Sequence, residues 1–201
     1  MESSKEHNYR SQEDLWSAFK GGDSYAYETI FTDHYKKLYD YGLKIHRDQE
    51  EIKDCIQQLF FEMWRSRERL GPNTSIRSYL IASLRRMILR KIKSRHLHSD
   101  LENIDASFHF EPSVEFNNIF LQEERKRVEL LTALLKKLPD RQKEALYLKY
   151  YGDHSFDEIA EIMGITTRAV YKLVYKALDN LSVELAVKNI KLHHLFSFLV
   201  L

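Results

Sequence analysis

The stretch FDEIAEIMGITTRAVYKLVYKAL, residues 156–178, sets two apolar runs at helical spacing on either side of one glycine, Gly164. No other pattern in the chain constrains the fold as much. Glycine adopts a positive φ freely, whereas another residue meets a cost of about 1–2 kcal/mol. Gly164 can therefore end one helix and turn the chain directly into the next. Counting Phe156 as position one, Ile159 and Ala160 fall at four and five, Met163, Gly164 and Ile165 at eight to ten, Val170 at fifteen and Leu173 at eighteen. Ala160 is small where a second helix must cross it. Ile165, Val170 and Leu173 are placed to close a small core between the two helices. Ser155 with Glu158 has the spacing of a capping box, and Thr166 is placed to cap the second helix.

The outward side of that second helix has its own composition. At about 100° per residue, Arg168, Lys172 and Lys176 lie within roughly 80° of one another. Tyr171 and Tyr175 flank them, while Val170, Leu173 and Ala177 point the opposite way. Cations suit phosphates and guanine edges, and planar rings suit sugars and thymine methyl groups. An ordinary amphipathic helix pair needs neither the grouping nor the rings. The reading is a DNA-binding helix-turn-helix whose contact residues are Thr167, Arg168, Tyr171, Lys172, Tyr175 and Lys176.

Six glycines and three prolines in 201 residues, with little alternating β-branched sequence, predict an all-α chain. Residues 11–20 read as a short helix with Ser11 and Asp14 at its start and Gly21-Gly22 at its end. Tyr27, Phe31, His34, Leu38 and Tyr41 step along one face of a second helix. Ile52, Ile56, Leu59 and Met63 form the inner stripe of a third, about 50–66, and Leu80, Leu84, Ile88 and Ile92 that of a fourth, about 76–94. The Gly-Pro and Ser/Thr chemistry of 67–75 reads as a loop. Four helices with short connections make a bundle. From 96 to about 114 the periodicity fades and Pro112 interrupts what remains, which predicts an interdomain linker. Helical pattern resumes at 121–138 and stops at Pro139, after which Asp140 is placed to cap a helix reaching Tyr150. The expected architecture is two small helical domains: an N-terminal bundle over 11–95, a flexible acidic linker over 96–120, a helix-turn-helix domain over 121–185, and an apolar tail over 186–201.

The net charge of +1 conceals a sorting by position. Eight basic residues (Arg69, Arg77, Arg85, Arg86, Arg90, Lys91, Lys93 and Arg95) and no acidic one lie between 69 and 99. Seven acidic residues (Asp100, Glu102, Asp105, Glu111, Glu115, Glu123 and Glu124) and no basic one follow before 125. A basic block is often just a solvated helix face. Here Arg86, Arg90 and Lys93 stand at i, i+4 and i+7 opposite an apolar side, the footprint of phosphate neutralisation. A single cysteine, Cys55, excludes a disulfide framework and a cysteine-rich zinc site. The polar start MESSKEHNYRSQED lacks the pattern of a secretory signal, and no apolar run approaches the roughly 20 residues of a membrane span. The expectation is a cytoplasmic protein without membrane insertion. His96, His98, His109, His193 and His194 have no carboxylate or thiol at ligand spacing, so no metal or other cofactor is expected.

Three segments together resemble one known family. LPDRQKEALYLKYYGDHSFDEIAEIMGITTRAVYKLVYKALDNL (138–181) is similar to the C-terminal promoter-reading domain of the extracytoplasmic-function (ECF) group of bacterial sigma factors. DCIQQLFFEMW (54–64) is similar to that group's polymerase-binding helix, D-x-x-Q-x-x-F-x-x-x-W, and SIRSYLIASLRRMILRKIK (75–93) to its promoter-melting helix. The resemblance covers nearly the whole chain except the first ten residues, the linker and the end after about 185. It implies that Asp54, Gln57, Gln58, Phe60 and Trp64 dock on core RNA polymerase, with Leu59 in the same matched helix. It implies that Arg77, Arg85, Arg86, Arg90 and Lys91 face the promoter element that is opened. By the same resemblance, the 67–75 loop pockets a base turned out of the stack, and the acidic linker threads the polymerase cleft. The partners implied are core RNA polymerase, promoter DNA and an anti-sigma factor. The chain departs from the family pattern at Arg86 and Arg90, where asparagine and aspartate are frequent, at Tyr79 in place of tryptophan, at Leu173 in place of a basic residue, and at Gln58 in place of glutamate.

Two other functions compete. A free-standing helix-turn-helix regulator would bind duplex DNA alone, but would not need the 54–64 motif. An enzyme would need a catalytic constellation, and no Ser/His/Asp set, phosphate loop or carboxylate cluster is evident; no small-molecule substrate is expected. The tail KNIKLHHLFSFLVL is expected to pack on the second domain or to bind a partner.

Overall fold

The computed structural model describes residues 9–72, 75–95, 107–109 and 122–186. All regular structure among them is helical: α1 (Gln12–Lys20), α2 (Ser24–Ile45), α3 (Gln49–Ser66), a 3-10 turn at Arg67–Arg69, α4 (Ile76–Arg95), α5 (Gln122–Lys137), α6 (Asp140–Tyr150), α7 (Phe156–Met163) and α8 (Thr167–Ala186). Two compact helical units result, with α1 to α4 in the first and α5 to α8 in the second; residues 44–47, at the end of α2, group with the second. None of the described helices is long and apolar enough to cross a membrane. The expectations placed on 96–106, 110–121 and 187–201 lie outside the described residues.

The first unit is built on the expected helices, with one shift of face. Ser11 caps α1 by accepting from the Asp14 N–H at 3.1 Å. On α3 the inner stripe is Ile52, Ile56, Leu59 and Met63, joined by Cys55 and Phe60, all buried. Each large apolar side chain so buried contributes about 1.5–3 kcal/mol. On α2 the buried stripe is Ala26, Ile30 and Leu38 with Tyr41, whereas Tyr27, Phe31 and His34 are half-buried at its margin. Tyr27 and Phe31 lie there because their rings meet those of α3: Tyr27 to Trp64 at 5.1 Å and Phe31 to Phe60 at 4.9 Å. Gly42 lets α2 approach α3 closely, since a Cβ there would sit 2.7 Å from Ile52 Cγ2. On α4, Leu80, Leu84 and Ile88 are buried as expected, while Ile92 near the helix end is only half-buried. Trp16 donates its indole N–H to the Gly71 carbonyl at 3.0 Å, anchoring the loop that follows α3.

In the second unit α8 is the hub, packing against α6, α7 and α5. Its buried stripe is Val170, Val174, Ala177, Leu181 and Leu185. Leu173, expected in the core, is half-buried, because the stripe runs from Val170 through Val174, about 100° around the helix from Leu173. Asp140 does not cap α6: Pro139 holds the cap position, and the Asp140 carboxylate lies in the first turn, 2.9 Å from Lys143 Nζ. Within the stretch read as linker, Phe108 is buried and tilts against Tyr147 at 5.6 Å.

Candidate nucleic-acid interface

Two surfaces carry the residues singled out from sequence, one in each unit. In the first, Asp48 fixes the start of α3 by accepting from the N–H groups of Glu50 and Glu51, each at 3.1 Å. The register that follows leaves Asp54, Gln57 and Gln58 exposed on α3. With Met87, Arg90, Lys91 and Ser94 of α4 they line an open groove of about 830 Å³. Asp54 Oδ2 lies 3.9 Å from Lys91 Nζ, and Asp54 is 70% exposed. Such a surface pair contributes about 0–1 kcal/mol, so either charge can be exchanged for a partner's at little cost. Gln58 donates to Glu62 Oε1 at 2.8 Å. Burial pushes the Cys55 thiol up, which keeps the sulfur of this groove in its protonated, poorly nucleophilic form.

The two aromatic residues assigned to docking stand elsewhere. Phe60 is 1% exposed and packs edge-on against Tyr27 and Phe31, which makes it a core residue. Trp64 is half-buried, with Phe19 and Tyr27 beside it and the Arg67 guanidinium 4.6 Å above its ring. The ring that does stand in the groove is Phe61, 57% exposed, and sequence reasoning missed it. A signal was present: Phe61 is four residues from Gln57 and seven from Asp54, on the same helix face.

The basic residues of α4 divide between two directions. Arg86, Arg90 and Lys93 are exposed along one line, as their spacing predicts. Arg86 donates to Ser83 Oγ at 3.0 Å, and Arg90 Nε to the Arg86 carbonyl at 3.4 Å. Arg77, Arg85 and Lys91 are half-buried, and Lys91 with Arg90 lies along the groove shared with α3. Tyr79 stacks edge-on against Trp16 at 5.5 Å, and burial pushes its hydroxyl above the usual tyrosine range.

In the second unit the turn geometry follows from the residues named above. Ser155 Oγ accepts from the Glu158 N–H at 3.2 Å, and Glu158 Oε2 accepts from the Ser155 N–H at 2.7 Å, closing a capping box. Gly164 is left-handed with φ 65° and ψ 40°, and the Ile165 N–H returns to the Ala160 carbonyl at 3.0 Å. Thr166 Oγ1 then accepts from the Ala169 N–H at 3.3 Å and starts α8. Ile159, Ala160, Met163 and Val170 are buried between the helices.

All six residues expected to read DNA emerge on one side of α8. Arg168, Tyr171, Lys172, Tyr175 and Lys176 are exposed and Thr167 half-exposed. Among the described residues, none of the three cations makes an ion pair. The tyrosines are ordered: Phe156 stacks on Tyr171 at 4.0 Å and 17°, Tyr171 on Tyr175 at 6.1 Å and 10°, and Lys149 Nζ lies 5.1 Å over Phe156. Two members of this surface, Phe156 and Asp157, come from α7 and were not foreseen as part of it. At the end of α6, burial pushes the Tyr151 hydroxyl up to about 12 and raises that of Tyr150.

Known proteins match segments of both units. The sigma-70 region 2 family matches residues 30–97, and the sigma-70 region 4 family matches residues 129–181. The RNA polymerase sigma factor SigV of Bacillus subtilis (strain 168) is 26% identical over 165 residues, spanning 81% of this chain and 92% of SigV. The ECF RNA polymerase sigma factor SigK of Mycolicibacterium vanbaalenii is 22% identical over 142 residues, spanning 69% of this chain and 71% of SigK. Among solved structures, that of CnrH in complex with the cytosolic domain of CnrY superposes with a TM-score of 0.56 at 17% identity, over 86% of this chain and 96% of CnrH, and so shares the fold. With both regions present in order along one all-helical chain, this protein belongs to the extracytoplasmic-function group of RNA polymerase sigma factors, which initiate transcription with core polymerase at promoter DNA.

Proposed function

We propose that this sigma factor grips a promoter at two points, with α8 in the major groove of the upstream element and the exposed face of α4 against the element that is opened. The observation that carries this reading is the outer side of α8, where three cations without an ion pair among the described residues stand beside a stacked pair of tyrosines. In it Arg168, Lys172 and Lys176 contact phosphates and base edges, and Tyr171 and Tyr175 lie along sugars and methyl groups. Arg86 and Arg90 neutralise the strand being separated. The protein contributes no catalytic step; chemistry belongs to the polymerase, and the work is done in the cytoplasm.

The groove between α3 and α4 is the polymerase-docking site in this reading. Asp54, Gln57, Gln58 and Phe61 present the i, i+3, i+4, i+7 pattern by which one helix is laid against another. Phe60 and Trp64 support that face from behind. CnrH is bound by the cytosolic domain of CnrY; by analogy an anti-sigma protein restrains this chain until a signal releases it. Full activity in cells without any inducer contradicts that restraint.

Run-off transcription with reconstituted holoenzyme tests the two contacts separately. Asp54→Lys abolishes co-purification with core polymerase, and retained binding rejects the docking face. Arg168→Ala leaves co-purification intact and weakens promoter binding by about 1–3 kcal/mol. Unchanged transcription in that variant removes Arg168 from the reading face.

A further inference from the structure

The Thr167 hydroxyl at the start of α8 is committed in direction. Its Oγ1 donates to Asp157 Oδ1 at 2.7 Å, a contact that joins the first turn of α7 to the first turn of α8 on the exposed side. A free threonine hydroxyl reads a base edge either way, since it rotates to donate or accept. Once its proton is given to Asp157, only lone pairs remain. The carboxylate itself offers acceptors alone. Arg168, the next residue, and Tyr171, one turn on, are exposed on the same side, so the pair lies within the surface assigned to DNA.

We propose that Asp157 and Thr167 form an acceptor-only edge that reads an exocyclic amino group, cytosine N4 or adenine N6, in the major groove of the upstream promoter element. Asp157 is then a specificity-determining residue that sets what Thr167 can bond. The proposal rests on α8 being the groove-reading helix. A guanine O6 or thymine O4 at the same place sets lone pair against lone pair beside a negative charge, and that mismatch is what discriminates. A carboxylate on a phosphate-facing surface does not raise affinity in general; its worth lies in rejecting the wrong base. If Asp157 served merely as a brace between α7 and α8, its loss would weaken all sequences equally.

A selection experiment separates these outcomes. Holoenzyme carrying the wild-type chain, Asp157→Ala, Thr167→Val or Arg168→Ala is bound to a promoter library randomised across the upstream element, and the bound fraction is sequenced. The wild type favours adenine or cytosine over guanine or thymine at one position by roughly tenfold. Asp157→Ala frees the hydroxyl to donate or accept, and the preference at that position falls to within about twofold while other positions keep theirs; Thr167→Val leaves the Asp157 carboxylate as the remaining acceptor and weakens the same preference without erasing it. Preferences are ratios within one selection, so a partly misfolded variant does not disturb them. If Asp157→Ala leaves every preference intact, or weakens all sequences uniformly, the proposal is overturned. Arg168→Ala shifting the preference at another position keeps the α8 reading standing in that case; no change with either variant removes both.

Discussion

The α3–α4 groove and the outer face of α8 both combine charges with exposed aromatic rings, yet they are made differently. The face of α8 belongs mostly to one helix, so a 100° step along the sequence lays out all six of its side chains. The groove is made by two helices that meet only after folding. Its Asp54–Lys91 pair joins residues that sequence reasoning assigned to different partners. A face on one helix is a local property of the chain, whereas a groove is a tertiary one. The same contrast shows in how each surface is held. A capping box, a left-handed glycine and a threonine cap set α8, and each acts within a few residues. The unit that carries the groove is held by contacts between distant residues, the close approach of α2 to α3 at Gly42 and aromatic packing around Phe60.

Both tryptophans, Trp16 and Trp64, lie in the first unit, so their fluorescence reports its unfolding, while far-UV circular dichroism reports both units. The largest effect separates two adjacent phenylalanines. Phe60→Ala lowers stability of the first unit by about 3–5 kcal/mol, read as an early fluorescence transition in urea. Phe61→Ala stays within about 0.5 kcal/mol of wild type but loses affinity for core polymerase. If both variants destabilise alike, the assignment of Phe61 to the surface fails. Next comes the α2–α3 approach: Gly42→Ala presses a methyl group into Ile52 and lowers the same transition by about 1–3 kcal/mol. A fluorescence midpoint unmoved by Gly42→Ala would show that the helices are not closely fitted there.

The second unit answers to local changes. Gly164→Ala forces a left-handed residue to carry a Cβ and costs about 1–2 kcal/mol, and Ser155→Ala removes half of the capping box for about 1 kcal/mol. Both lower the circular dichroism transition and leave the tryptophan transition in place; a shift in fluorescence breaks the separation of the two units. Alkaline titration adds a subtler mark. With the Tyr151 hydroxyl pushed up to about 12 by burial, the folded unit holds a proton that the unfolded chain releases near the ordinary tyrosine pKa of 10. This contribution is fully present below pH 10 and is lost as pH rises from 10 to 12. Tyr151→Phe flattens that loss, and an unchanged profile places the alkaline sensitivity elsewhere.

These contrasts explain what was legible in the residues. Helix existence, the two caps, the left-handed Gly164 and the side of α8 that faces outward all follow from spacing and local chemistry. Sequence reasoning erred where two elements share a surface. On α2 the apolar period alone did not distinguish Tyr27 and Phe31, drawn to the margin by rings on α3, from Ala26 and Ile30 beneath them. Leu173 and Val174 differ by one residue, and only the position of α6 and α7 decides that Val174 is buried. Phe60 matched the family motif and was assigned to a partner, but its neighbours in space belong to α2. Asp157 is not singled out by the sequence pattern, because its link to Thr167 exists only once the turn brings ten residues back on themselves.

The claim that joins the two surfaces is that neither suffices alone. Fluorescence anisotropy of a labelled promoter duplex, measured at physiological salt with the protein alone and with added core polymerase, tests it most directly. Weak, sequence-indifferent binding by the isolated chain and a tight, promoter-specific complex once core polymerase is present are the expected results. Promoter-specific binding of equal strength without core polymerase would contradict the claim.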